Sequence, residues 1–392
     1  MDKFIYPGLL VAILLPCAWL VSALPADSHL RTAAQVGSDD RTHDNSAAHL
    51  VGKQVCAECH AENFRLHQLS GHADTFTASN APNVLKRFAD KTVDAGQGFG
   101  FYHYQPTDQG LVVEHQKRAV NADQAKPLLL TQPAATEPSQ LLFPYALGSG
   151  RNAITLLALV PDGNKGTDAI EHRVSWFGSH GEFGFTPGHM GHVPASHWEM
   201  FGKTQRGEKM QRCVECHTTS GHVANQGIQN LVANVNCEKC HGPGSEHVKQ
   251  ARLSDTPPPY SVGRDDWDHE SELQLCGDCH RLPRHVDPKQ LRDYSSEMLR
   301  LQPIGMLRSE CYLESPGKLM CSTCHNPHQD AKTKSEQDYI QDCRNCHQPQ
   351  HADQVVCPVS PTDGCIECHM PAIVVEQGMV FHDHWIRVRD EP

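Results

Sequence analysis

The residues best suited to do chemistry in this 392-residue chain are cysteine and histidine, present in 17 and 27 copies. Fourteen of the cysteines fall into seven Cys-x-x-Cys-His motifs. These are Cys56, Cys59 and His60; Cys213, Cys216 and His217; Cys237, Cys240 and His241; and Cys276, Cys279 and His280. The last three are Cys321, Cys324 and His325; Cys343, Cys346 and His347; and Cys365, Cys368 and His369. At this chain's own Cys and His frequencies, chance supplies on the order of 0.05 such motifs. Two thiols separated by two residues on one helical turn reach the two vinyl groups of a haem and form thioethers. The next histidine then lies under the iron as its proximal ligand. The spacing therefore predicts seven covalently bound haem c groups.

Zinc is the main competing reading. Cys216 and Cys237 enclose 20 residues, and Cys346 and Cys365 enclose 18, both suitable for a zinc ribbon. A ribbon has no need of a histidine after every pair, and it uses pairs two by two, whereas seven is odd. Thioredoxin-like dithiols do not call for seven copies either. Haem is preferred over both.

Seven histidines close the motifs, which leaves twenty others for at most seven distal iron positions. Local context singles out His72, His222, His247, His328 and His384 as distal candidates. His189, His192, His197 and His285 are weaker candidates, and His29, His43 and His49 fall in a polar N-terminal stretch. Two further cysteines, Cys311 and Cys357, form an even remainder that reads either as a disulfide or as two buried thiols. No residue is assigned a catalytic role.

The elements that must position these groups follow from the rest of the chain. Lys3, the apolar run 9–20 and the short residues Val21, Ser22 and Ala23 read as a secretory signal cleaved after Ala23, with Cys17 removed. The competing reading is an uncleaved anchor. Residues 24–50 read as a flexible tether, 51–80 as a first haem segment with a short helix near 58–70, and 201–392 as a six-haem segment. Between them, 81–200 has no motif. Strand-like runs at 99–105, 111–116, 152–160 and 169–177, with turns at 106–110 and 161–166, predict a β-rich insert there. A brief helix is expected over 335–344.

Only 39% of the chain is hydrophobic, and mean hydropathy is −0.50. From 201 onward the segments between motifs are short and polar, so their core must be prosthetic. The expected fold is mainly α with much irregular chain, short helices wrapped around stacked haems, and a small β-rich insert at about 95–180. A net charge of −12 with thinly spread Lys and Arg argues against a nucleic-acid partner. No mature segment is apolar for long enough to span a bilayer, which predicts a periplasmic or otherwise exported soluble protein.

Several phrases resemble the multihaem cytochromes related to the tetrahaem cytochrome c of nitrifying bacteria. That group has wider kinship with hydroxylamine oxidoreductase and pentahaem nitrite reductase. The chain is most similar to bacterial multihaem modules also found fused to tetratricopeptide repeats. The phrases are VCAECHAENF from residue 55, YALGSG at 145–150, CHGPGSEHV at 240–248, CYLESPGKLMCSTCHNPH at 311–328, CPVSPTDGCIECHMP at 357–371 and DHWIRV at 383–388. The resemblance implies closely packed haems with largely His/His coordination. It favours His72, His247, His328 and His384 as distal ligands, and it sets Cys311 and Cys357 within the family pattern, as a disulfide would require. No motif has Lys in place of its histidine, unlike pentahaem nitrite reductase, and no tetratricopeptide repeat follows the haem module.

Two functions are compatible with these residues. The first is electron transfer among redox partner proteins or from a quinol-linked membrane complex. The alternative is a multihaem oxidoreductase acting on a small nitrogen or sulfur oxyanion, or on hydroxylamine, at one open haem. Tyr145, Arg151, Arg173 and the histidines of 189–197 would line its pocket.

Overall fold

The computed structural model describes residues 48–96, 99–116, 139–164, 166–254, 262, 267–348 and 356–389. The signal segment, Cys17, His29, His43 and the tether up to residue 47 lie outside the described residues. Residues 48–392 form one compact unit.

The centre of that unit is a pair of antiparallel sheets. Strands β1 (Phe76–Ala78), β2 (Thr92–Asp94), β3 (Phe101–Thr107), β4 (Gly110–Gln116) and β5 (Gln140–Phe143) are followed by β6 (Tyr145–Leu147), β7 (Ala153–Pro161) and β8 (Thr167–Phe177). Strands β9 (Glu182–Phe185) and β10 (Gly202–Gln205) complete the group. One sheet has the order β2-β3-β4-β5; the other runs β1-β6-β7-β8-β10, with β9 also paired to β8. Pro144 alone separates β5 from β6, so the chain turns from one sheet into the other at a residue that cannot donate to a ladder.

Period-two alternation decides what each face covers. Tyr102, Tyr104, Leu111, Val113 and Phe143 of the first sheet meet Ile154, Leu156, Val160, Ile170 and Val174 of the second in one buried cluster. The opposite face of the second sheet offers Phe76, Leu147, Leu157 and Ala169. These pack against Met210 and Val214 of the helix Gly207–His217 and against Val223. Since that helix carries Cys213, Cys216 and His217, the sheet is a wall directly behind a motif.

The remainder is short helices with two hairpins, β11 (Thr218–Ala224) with β12 (Gly227–Ala233) and β13 (Ala372–Val374) with β14 (Val380–His382). The expected helix near 58–70 is Ala61–Gln68, and the one near 335–344 is Glu336–Cys346, capped by Ser335. The two hairpins expected in the insert are β3-β4 and β7-β8.

The expectation of a mainly α fold is corrected. Helix takes 37% of the described residues and strand 25%, in four antiparallel sheets. The reason is pairing at a distance. Strands β1 and β10 have little strand character alone, and each exists because β6 or β8 offers it a ladder. In β11-β12 the turn is made by Asn225 and Gln226, with φ of 52° and 56°, followed by Gly227. Two left-handed residues in a two-residue loop match the twist of a hairpin, and Asn adopts that conformation readily.

Candidate haem sites

Each motif sits on or beside a single turn of helix. Cys237–His241, Cys321–Cys324 and Cys365–His369 are themselves short helices. The motifs at 213–217, 276–280 and 343–347 close the longer helices Gly207–His217, His269–His280 and Glu336–Cys346. The first straddles the end of Lys53–Ala57. Residues three apart on a helix share a face, so both thiols of each pair point the same way. None of the fourteen is fully buried.

Four motif histidines have a second histidine ring set opposite them. His60 faces His247 with ring centroids 6.4 Å apart, and His72 faces His280 at 6.2 Å. His241 faces His328, and His325 faces His384, both at 6.2 Å. A first-row metal bonds an imidazole nitrogen at about 2.0 Å, and that nitrogen lies about 1.1 Å from the ring centre. Two imidazoles on opposite sides of one metal therefore have centroids about 6.2 Å apart. The four pairs fit an iron between them.

The imidazoles are held in the form a metal requires. Where Nδ1 donates a hydrogen bond, Nε2 carries the lone pair. Nδ1 of His217 donates to the Thr75 carbonyl at 3.0 Å, and Nδ1 of His369 to the Arg387 carbonyl at 2.9 Å. Nδ1 of His280 donates to Gln302 Oε1 at 3.3 Å, and Nδ1 of His384 to the His382 carbonyl at 2.9 Å. Tyr339 donates its hydroxyl hydrogen to Ala331, which leaves the oxygen to accept from His325 Nδ1 at 3.3 Å. Burial, reinforced by the neighbouring His280, pushes His72 down to about 4. Burial likewise takes His384 to about 4, with the Nδ1 contact to His382 opposing it. Both rings are neutral at ordinary pH, and a neutral ring can bind a metal.

The other candidates are placed differently. His222 is exposed on β11 and faces no motif histidine among the described residues. Nor does any described histidine ring face His217 or His369. His189 is buried against Glu171 with its Nε2 3.3 Å from Oε2, and His192 is near Glu199. His197 packs on Trp198, and His285 Nδ1 accepts from the Leu282 N–H at 3.2 Å. The proposed pocket residues are dispersed. Arg151 pairs with Asp330, Tyr145 packs on Phe76, and Arg173 is buried with its guanidinium 3.9 Å from the Phe99 ring. Cys311 and Cys357 are separate free thiols; Cys357 accepts from the Ser360 N–H at 3.4 Å.

The sequence reading missed the groups that orient the rings: Thr75, Gln302, Tyr339 and the Arg387 carbonyl. Nothing in their local sequence marks them, because each reaches its histidine only through the fold.

Residues 192–242 match the family described as cytochrome c554 and c-prime. That stretch holds two of the motifs, with Cys213, Cys216, His217, Cys237, Cys240 and His241. Over those residues the chain is similar to a cytochrome c family. Covalently bound haem c is what that class carries, and the motif cysteines fit it. No curated protein matches the chain. Among solved structures the chain is similar to one titled outer cell wall cytochrome OcwA, with 16% identity and a TM-score of 0.43, covering 86% of this chain and 79% of that one. No helix among the described residues is long and apolar enough to cross a membrane.

Proposed function

We propose that this protein is an exported seven-haem cytochrome that passes electrons between redox partner proteins or from a quinol-linked membrane complex. The observation that carries the reading is the four facing histidine pairs at 6.2–6.4 Å, each with a motif histidine on one side. Bound haem supplies reversible one-electron iron chemistry.

The chain's own residues do the rest. The fourteen motif cysteines anchor the macrocycles, and the seven motif histidines stand as proximal ligands. His247, His72, His328 and His384 close the opposite faces at His60, His280, His241 and His325. A face closed by an imidazole on a rigid segment admits no substrate, which favours transfer over chemistry at those four sites. Motif segments also meet each other: the Cys56 thiol adjoins Cys237, Cys216 adjoins Cys279, and Cys276 adjoins Cys321. Such contacts bring successive attachment points close together, as electron exchange within one chain requires. Export rests on the N-terminal apolar run and on thioether chemistry outside the cytoplasm; a mature chain beginning after Ala23 is the expected product.

EPR of the oxidised holoprotein tests this reading. Low-spin ferric signals are expected from the four haems closed by a histidine pair, and His247→Ala should convert one of these four to high spin while leaving the other three low spin. A high-spin signal in the parent that shifts on adding nitrite, hydroxylamine or sulfite would replace electron transfer with catalysis at an open haem.

A further inference from the structure

Two buried carboxylates each reach from one haem-binding segment to another. Glu238, the second residue of the helix Cys237–His241, is 7% exposed. Its Oε1 accepts from the N–H groups of Val51 and Gly244, and its Oε2 from the N–H of Gly52, all at 2.8 Å. Val51 and Gly52 immediately precede Lys53–Ala57, the helix that carries Cys56. Glu272, in His269–His280, is also 7% exposed. It accepts from the Ser322 N–H at 2.7 Å and from the Ser322 hydroxyl at 2.8 Å. Ser322 lies in the first turn of Cys321–Cys324.

The two arrangements are the same device. A carboxylate from one motif-bearing helix satisfies free N–H groups at the start of another, where the helix leaves them unpaired. In both, the thiols on the two joined segments adjoin: Cys56 with Cys237, and Cys276 with Cys321. Every hydrogen-bond partner of the two carboxylates is an uncharged N–H or hydroxyl group. The third such meeting of thiols, Cys216 with Cys279, has three cations beside it, Arg281, Lys239 and Arg212, against the one carboxylate of Asp278.

We propose that Glu238 and Glu272 are positioning residues that clamp the haem-binding segments in pairs and, through their buried negative charge, hold the reduction potentials of those pairs below that of the haem at Cys213 and Cys216. The inference rests on the reading of these motifs as haem sites. Ferric haem carries one more positive charge than ferrous haem, so a fixed anion favours the oxidised state and a fixed cation the reduced one. Burial strengthens both effects by excluding water.

The test is a spectroscopically followed redox titration of the full-length holoprotein and of Glu238→Gln and Glu272→Gln, with haem content measured for each. Glutamine keeps the shape and a hydrogen-bond acceptor but removes the charge. Each variant should retain the parental haem content and show a positive shift confined to one pair of haems, a different pair in the two variants. Glu272→Asp keeps the charge and should titrate near the parent, even with a longer reach to Ser322. Fully loaded Gln variants that titrate like the parent overturn the proposal, as does an Asp variant that reproduces the Gln shift. A parent lacking haem at these motifs would instead defeat the assignment of the sites themselves.

Discussion

Asp383 shows how a single residue secures the end of the chain next to His384, whose ring faces that of His325. It is 2% exposed, and its Oδ1 accepts from the Tyr294 hydroxyl at 2.8 Å and from the Trp385 N–H at 2.9 Å. Oδ2 accepts from Arg387 at 3.1 Å and also pairs with Arg389. Burial alone would raise its pKa; the Trp385 N–H, Tyr294 and Arg389 more than offset it and hold the carboxyl below the usual range. A depressed carboxyl contributes stability that is present above its unfolded value of about 3.9 and is lost as pH falls through the lower folded value. Asp383→Asn leaves two arginines without their anion and should cost about 3 kcal/mol. Urea unfolding at pH 7 measures the cost, and the gap between variant and parent should narrow below about pH 4. At this scale the sequence was informative where chemistry dictates spacing: the motifs and His72, His247, His328 and His384 stand out in it. Which ring faces which motif was not legible. His72 faces His280, 208 positions away, rather than the nearby His60.

At the scale of elements, β8 and β10 connect the sandwich to the helix behind Cys213. Strand β10 pairs with β8 through Gly202 opposite His172, and the chain enters Gly207–His217 two residues after β10 ends. A Cβ on Gly202 would lie 1.9 Å from the Glu171 carbonyl oxygen, which is backbone and cannot yield. Gly202→Ala should therefore push β10 off its partner and cost about 2 kcal/mol, read as a lowered thermal midpoint. Loss should extend to haem attachment at Cys213 and Cys216 before other sites. The hairpins β3-β4 and β7-β8 were legible because alternation and Gly-rich turns are local signals. Strands β1, β10 and β11 were not, since their pairing energy comes from partners distant in sequence or, for β11, was masked by the adjacent motif. That is why a mainly α fold was expected and a mixed one is found.

For the whole molecule, the lean hydrophobic content has a division of labour behind it. The sandwich holds the largest apolar cluster, while the segments after residue 217 bury few apolar side chains. They join instead through carboxylate caps, paired thiols and facing histidines. These arrangements fit a chain built to receive prosthetic groups along its length. The most direct measurement is the haem content of the purified chain, from intact mass together with the pyridine haemochrome spectrum. Seven haems per chain, all resistant to acid-acetone extraction, is the predicted result. Fewer than seven, or haem that is extracted, would contradict the account.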